Sequence, residues 1–380
     1  GSTGSIGRLA IEIVTSYKER FRVTGLSACR NTALLAEQLE IFPEARYAIG
    51  ESDGIGEIGR LAPSAAGRGT GYGQKGIEAL IKESAPDIVI NALVGIAGLG
   101  PTLWALEAGS DVALANKETL VTAGEFVTGK AREAGRHIIP VDSEHFSLSR
   151  CLHGNREKMV EIILTASGGP FYGKSLDELK DVTIGEVLDH PTWSMGKKVT
   201  VDSAHLLNKG LEVIEAHHLF DFPYDAIKVV IHPQSLVHSL TRFRDGSMLA
   251  HLGPADMRLP IMSALFHPEI VEFPWEVLDL ADIGKLEFHP VYMERFPAFR
   301  LAMEAAAAGG TAPAVLNAAD EMAVEAFLGG RIGFLDVIAW IDEALRSHEP
   351  APVGTIDDVF AADRWTREFL VKTHSQAHTG

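Results

Sequence analysis

Three carboxylates carry the first chemical signal in this sequence. Asp142 and Glu144 stand in the run Val141-Asp142-Ser143-Glu144-His145, directly after the apolar segment HIIPV at 137–141. If that segment is a strand of a parallel sheet, both lie at its carboxyl end, where such sheets bind their ligands. The third, Glu212, belongs to the helical run SAHLLNKGLEVIEAHHLF. At helical spacing Asn208, Glu212 and Glu215 share one face, and Leu206, Leu207, Val213 and Ile214 supply the apolar side. Oxygen donors from Asp142, Glu144 and Glu212, with no thiolate among them, would select a hard ion such as Mg²⁺ or Mn²⁺. Plainer readings stand beside this one: Asp142 or Ser143 as a helix cap, and the glutamates on a solvated face.

Several features suit small anions. The opening GSTGSIG can turn backbone N–H groups toward a pyrophosphate at a helix start, although its GxxGxxG spacing is not the commoner GxGxxG. The strand ending at Ala28 is followed by Cys29-Arg30-Asn31, with an arginine where NAD-binding folds tend to place a carboxylate; this favours a 2′-phosphate and hence NADP, against a merely solvated arginine. Ser167-Gly168-Gly169 after EIILTA offers a hydroxyl beside permissive backbone, and Ser203 and Lys209 mark helix starts. Lys117 and Glu118 follow another strand end in LANKE. The loop HPTWSMGKK at 190–198 carries Trp193 and Met195 among cations, which reads as a ligand-covering flap or as two core side chains. His217, His218 and most other histidines read as structural.

The elements that must position these residues alternate through the first third. Strands are expected at 22–28, 87–94, 111–115 and 137–141, and helices at 32–40, 74–84, 101–108 and 119–134, with the glycine-rich 50–76 as loop. That alternation implies a parallel, doubly wound sheet. The middle third suggests a second sheet from 161–166, 225–231, 235–243 and 247–252, with one strong helix at about 203–219. Residues 270–297 resemble a connecting segment, and the pattern is helical from about 298.

Composition sets the outer bounds. In 380 residues, 34 basic against 51 acidic side chains leave a net charge of −17, which argues against nucleic acid or a membrane surface as partner. Two cysteines make neither a disulfide framework nor a thiolate zinc site and fit a reducing compartment. No targeting segment is expected at the start. The uncharged stretch 88–106 nears the length of a membrane span, but Gly95, Gly98, Gly100 and Pro101 break it, so strand, turn and helix are expected there.

Taken in order, GSTGSIG, ALANKETLV, PVDSEH, TASGGPF, HPTWSMGKKVTVDSAHLLNKGLEVIEAHHLF, IHPQSLVHS and LNAADEMAVEAFL closely resemble the 1-deoxy-D-xylulose 5-phosphate reductoisomerase family over essentially the whole chain. The resemblance implies an NADPH-dependent, cytoplasmic, homodimeric enzyme of the non-mevalonate isoprenoid pathway, using Mg²⁺, Mn²⁺ or Co²⁺ on a sugar phosphate. It implies an α/β fold: a Rossmann-like NADPH domain (1–142), an α/β catalytic and dimerisation domain (143–275), a connecting segment (276–297) and a C-terminal α-helical bundle (298–380).

By motif it places Thr3, Gly4, Ser5 and Ile6 on the pyrophosphate and Cys29, Arg30 and Asn31 at the 2′-phosphate end. Asn116, Glu118 and Gly196 would also meet NADPH. Asp142, Glu144 and Glu212 match the metal ligands, while Lys117, Ser143 and Glu144 match contacts to the substrate backbone. Ser167, Ser203, Asn208 and Lys209 match the phosphate pocket, with His190 beside the substrate and Trp193 and Met195 on a mobile flap. Lys117, Glu144, His190 and Glu212 are the residues expected to act in catalysis. Other readings are a different NADP-linked oxidoreductase and a silent NADPH or sugar-phosphate binder.

Three departures from the family pattern stand out. Family chains have an apolar strand before GSTGSIG; without it the sheet should show unpaired backbone and a gap in its core. Phe146 opens FSLSRCL where NAIFQCL is commoner, and His205 replaces a small polar residue beside the phosphate pocket.

Overall fold

Apolar β-branched runs too short for a helix and bounded by turn residues become strands, and the amphipathic stretches between them become the covering helices. A computed structural model describes residues 1–154, 156–193 and 195–374. Helix and strand alternate first: α1 (Ser5–Ser16), β1 (Gly25–Ala28), α2 (Thr32–Ile41), β2 (Arg46–Ile49), α3 (Asp53–Leu61), β3 (Gly69–Tyr72), α4 (Gly73–Ser84), β4 (Ile88–Asn91), α5 (Leu99–Glu107), β5 (Asp111–Leu114), α6 (Glu118–Ala134), β6 (Ile138–Pro140) and α7 (Ser143–Leu152). Next come β7 (Met159–Ala166), α8 (Ile184–Leu188), α9 (Lys197–Ala204), α10 (Leu207–Phe220), β8 (Ile227–Ile231), β9 (Val237–Phe243), β10 (Met248–Leu252), α11 (Arg258–Leu265), α12 (Leu280–Ile283) and β11 (His289–Pro290). The last helices are α13 (Pro297–Ala308), α14 (Ala312–Leu328), α15 (Asp336–Ser347) and α16 (Ile356–His374).

The chain forms two units, one from 1–119, 127–146 and 256–274, the other from 120–126, 147–255 and 275 onward. In the first, β1-β2-β3 and β4-β5-β6 are separate three-stranded parallel sheets. Leu26, Leu35, Leu39, Tyr47, Ile49 and Ile58 pack one core around β1 and β2. A cavity of ≈540 Å³ is lined by Gly25, Leu26 and Ser27 of β1 and by Ile88, Val89 and Ile90 of β4. Ser2 closes one end of β1, its N–H donating to the Ser27 carbonyl at 2.7 Å. The uncharged stretch 88–106 folds as β4, a turn and α5, and among the described residues no helix is long and apolar enough to cross a membrane.

Residues 50–76 are not a loop, contrary to the sequence expectation: they hold α3 and β3, and β2 just before them was not foreseen either. Glycine hid both elements, because it lowers helix and strand propensity alike. In α3 the glycine is needed for packing, since a Cβ on Gly54 would stand 2.7 Å from Ile49 Cγ1. In β3, Gly71 has φ +129°, and a Cβ on Gly76 would lie 2.4 Å from the Gly71 carbonyl carbon. Strand β3 exists because β2 pairs with it, not because its residues favour it.

The second unit contains the sheet β10-β9-β7-β8-β11, in which only β7 and β8 run parallel. Ile162, Leu164, Val213, Phe222 and Phe299 pack its core. The helix expected at 203–219 is two helices. Leu206 takes a left-handed conformation (φ +61°), so α9 ends and α10 begins in a new direction. Periodicity read straight through that single residue because its side chain is apolar and buried like its neighbours. The connecting stretch keeps only α12 and the two-residue β11 against β8 before α13–α16 begin.

Candidate active site

In the first unit the glycine turn prepares a helix end. Gly4 is the N-cap of α1 and makes no side-chain capping bond, leaving first-turn N–H groups to a ligand. Gly4 and Ser5 are exposed, and Thr3 and Ile6 half-buried. A Cβ on Gly7 would come within 2.2 Å of the Gly1 carbonyl oxygen, so the turn closes only on glycine. At the end of β1, Cys29 is exposed and its carbonyl accepts from Gly50 N–H at 3.0 Å. Arg30 is 82% exposed and pairs with Glu51 at 2.9 Å, a contact that raises the guanidinium's already high pKa. An ion pair so exposed is cheap to exchange for a phosphate. Asn31 has a structural duty, capping α2 by accepting from Leu34 N–H at 3.0 Å.

Asn116 is buried and donates to the carbonyls of Leu93 and Gly95 and to Glu118 Oε2 at 2.8–2.9 Å. Gly98 leaves it room, since a Cβ there would lie 2.2 Å from Asn116 Oδ1. Next along, Lys117 Nζ donates to Asp142 Oδ2 at 2.6 Å, and His145 Nδ1 meets Asp142 Oδ1 at 3.0 Å. Asp142 also starts α7, accepting from Phe146 N–H through its carbonyl, so the helix-start reading holds for its backbone while its carboxylate faces a lysine and a histidine. Ser143 Oγ donates to Glu144 Oε2 at 2.5 Å. Phe146 itself is buried.

In the second unit the strand β7 delivers Ser167, whose Oγ lies 3.0 Å from His190 Nε2 and accepts from Gly169 N–H at 3.2 Å. His190 Nδ1 accepts the N–H groups of Thr192 and Trp193 at 3.2 and 3.0 Å. That nitrogen therefore carries no proton, and Nε2 is the donor toward Ser167. Burial lowers the His190 pKa and keeps the ring neutral. Gly169 (φ +70°) is pressed against α9, a Cβ there falling 2.7 Å from the Ser203 carbonyl oxygen, so the Ser-Gly-Gly turn and Ser203 are neighbours.

Trp193 and Met195 are half-buried, Trp193 edge-on to His238 at 6.0 Å, and Gly196 caps α9. On α10, Asn208 Nδ2 donates to Glu212 Oε1 at 2.5 Å, and Lys209 Nζ pairs with Glu212 Oε2. Glu212 and Glu215 are each only 1% exposed, which removes the solvated-face reading for this helix. His205 is buried and stacks on Phe334 at 3.7 Å.

Sequence reasoning gave no role to His145, which grips Asp142, or to Lys198, which reaches both Asp202 and Asp320. The i, i+4 spacing of Lys198 and Asp202 was a readable signal; Asp320 is 118 positions further on and carried none.

The fold and these side chains define an α/β enzyme built on a dinucleotide-binding type of unit, with hard oxygen donors and buried cations. Family models agree segment by segment: 1-deoxy-D-xylulose 5-phosphate reductoisomerase over residues 1–124, its C-terminal domain over 138–220, and DXP reductoisomerase C-terminal domain over 252–369. The 1-deoxy-D-xylulose 5-phosphate reductoisomerase of Pelodictyon phaeoclathratiforme (strain DSM 5477 / BU-1) is 47% identical over 98% of this chain and 97% of its own length. That of Moorella thermoacetica (strain ATCC 39073 / JCM 9320) is 49% identical over 97% and 95%. Among solved structures, the Zymomonas mobilis enzyme in complex with NADPH superposes with TM-score 0.89 at 39% identity, covering 98% of this chain and 97% of that one. A DOX-P reductoisomerase in complex with NADPH, fosmidomycin and magnesium gives TM-score 0.93 at 35% identity, covering 100% and 98%. The chain belongs to the 1-deoxy-D-xylulose 5-phosphate reductoisomerase family, as its motifs suggested.

Proposed function

We propose that this protein converts 1-deoxy-D-xylulose 5-phosphate to 2-C-methyl-D-erythritol 4-phosphate with NADPH and a divalent metal ion. The observation that carries the reading is the Asn208–Lys209–Glu212 row on α10, with Lys209 and Glu212 buried and Asn208 bonded to Glu212, following Ser203 across the α9–α10 break. The residues fit both absent groups: the donors assigned to the metal are carboxylates, and the start of α1 has no side-chain cap. Thr3, Gly4, Ser5 and Ile6 are assigned to the pyrophosphate, and Cys29, Arg30 and Asn31 to the 2′-phosphate end. Asn116, Glu118 and Gly196 are further NADPH contacts, and Asp142, Glu144 and Glu212 are the metal ligands.

In the rearrangement one carbon–carbon bond of the substrate breaks and another forms, giving a branched aldehyde phosphate; hydride addition to that aldehyde yields the product. When bound, the divalent ion supplies Lewis-acid polarisation of the substrate's oxygens and NADPH supplies the hydride. Lys117, Ser143 and Glu144 orient the carbon backbone by hydrogen bonds. Ser167, Ser203, Asn208 and Lys209 hold the phosphate, and neutral His190 donates from Nε2. Binding energy gathered at that phosphate, remote from the reacting carbons, can support closure of Trp193 and Met195 and exclusion of water.

The division at residues 142, 275 and 297 into cofactor, catalytic, connecting and helical parts belongs to the same reading. So does a cytoplasmic homodimer; edge strand β10 leaves Met248 and Leu249 45% and 41% exposed, which supports a partner there. The test follows NADPH absorbance with deoxyxylulose phosphate and Mg²⁺. Substrate-dependent loss of NADPH with formation of the branched product is expected; a folded chain that gives none overturns the reading.

A further inference from the structure

Helix α9 carries an assigned ligand contact at each end, Gly196 at its cap and Ser203 one residue before its last. Between them, Lys198 and Asp202 form an i, i+4 pair at 2.8 Å, and the same Lys198 Nζ donates to Asp320 of α14. All three side chains are withdrawn from solvent, with Asp202 2% and Asp320 0% exposed. Two buried carboxylates meet on one ammonium, so ionising both sets two like charges close together in the interior, which burial makes unfavourable. A proton shared between the carboxyls removes that cost and creates a hydrogen bond. Asp320 is the side that takes it: burial, and then the charge of Asp202, raise its pKa well above the ordinary value, against the lowering effect of Lys198.

The helices packed on α14 carry ion pairs of their own. Glu321 and Asp363 of α16 pair with Arg367, and on α13 and α15 Arg300–Glu304 and Arg346–Asp342 are surface pairs. Just past α9, His205 stacks on Phe334, so the C-terminal helical region touches α9 a second time.

We propose that Asp320 is a positioning residue: as the neutral acid it donates to Asp202 and accepts from Lys198, and so fixes α9 between Gly196 and Ser203. The inference rests on the proposed function for the meaning of those two ends, but not for the proton itself. Asn at 320 can make both bonds without a charge, whereas Ala can make neither.

Two measurements test it. First, thermal unfolding of wild type and Asp320→Asn is followed from pH 5 to 9. A raised native pKa means that the folded state holds a proton the unfolded chain has lost, so wild type loses stability as pH rises from the ordinary carboxyl value through the native one. The Asn variant lacks that loss, and its melting temperature should gain on wild type as pH rises. A difference between the two melting temperatures that stays constant, or turns further against the variant, as pH rises would show Asp320 working as an ion-paired carboxylate and overturn the proposal.

Second, Asp320→Ala should raise the KM for the sugar phosphate about tenfold, the scale of a lost buried hydrogen bond, with kcat within about threefold, and Asp320→Asn should restore it. Unchanged KM in a folded Ala variant overturns the positioning role. If wild type itself shows no turnover, the proposed function fails while the unfolding measurement still decides the state of Asp320.

Discussion

The residues assigned to NADPH and those assigned to the sugar phosphate meet anions by different means. In the first unit the contacts are largely exposed and made of backbone: an uncapped helix start after a glycine turn, and an arginine 82% exposed and paired with Glu51. In the second they are side chains drawn into the interior, with Lys209 3% and Glu212 1% exposed and Asn208 bonded to Glu212. Water screens the exposed members of the first set, so a contact such as Arg30 contributes modestly, while Asn31 also caps α2 and Asn116 is buried. The second is a small low-dielectric network in which every member depends on its neighbours. Binding of a large dinucleotide can be spread over many weak contacts, whereas a small substrate needs a few strong ones on a rigid frame.

Breaking the buried set should cost most. Glu212→Gln is expected to lower turnover by about 10³-fold or more, on the order of 4 kcal/mol of transition-state stabilisation, while NADPH binding measured by fluorescence titration persists. Unchanged turnover would remove Glu212 from the metal ligands. Ser203→Ala should raise the KM for the sugar phosphate by about 10- to 100-fold, the range for a hydrogen bond to a charged group, and leave the KM for NADPH alone. Arg30→Ala should do the reverse and less, raising the KM for NADPH about five- to tenfold with little change for NADH or in kcat. Equal effects of these last two substitutions on both ligands would erase the distinction between the regions.

The smallest effect concerns acid. Burial lowers the pKa of His205 to about 3 and those of His218 and His238 to about 4, and all three belong to the second unit. Each is neutral when folded but binds a proton when unfolded below the ordinary histidine value, so stability is lost as pH falls from about 6.5 toward those lowered values. His205→Phe keeps a ring against Phe334 and should remove about one proton from this dependence, read as a shallower fall of melting temperature between pH 6.5 and 4. An unaltered slope would mean that His205 is not the neutral, buried group its surroundings indicate.

Much of this was legible without coordinates because it is local. Strands β4 to β7 and the helices α2, α4, α5 and α6 follow from short-range periodicity, although β4, β5 and β6 were drawn one or more residues too long and β7 two residues too short. The carboxylates at 142, 144 and 212, assigned to the metal in the proposed function, stood out by residue type and by position at a strand end and on a helix face. Glycine made α3 and β3 invisible, since their existence depends on packing against Ile49 and pairing with β2. The break at Leu206 was invisible for the opposite reason: an apolar residue in a left-handed conformation looks like helix.

What the sequence by itself determined is therefore the inventory: which segments are apolar and periodic, which chemistry their ends carry, and the family to which the motifs belong. Only the tertiary structure decided which polar faces turn inward. It buried Glu212 and Glu215, committed Arg30 to Glu51, and brought Asp320 onto Lys198 across 122 positions. The physical reason is that burial and charge pairing are properties of three-dimensional neighbours, and residue type or spacing along one chain does not specify them.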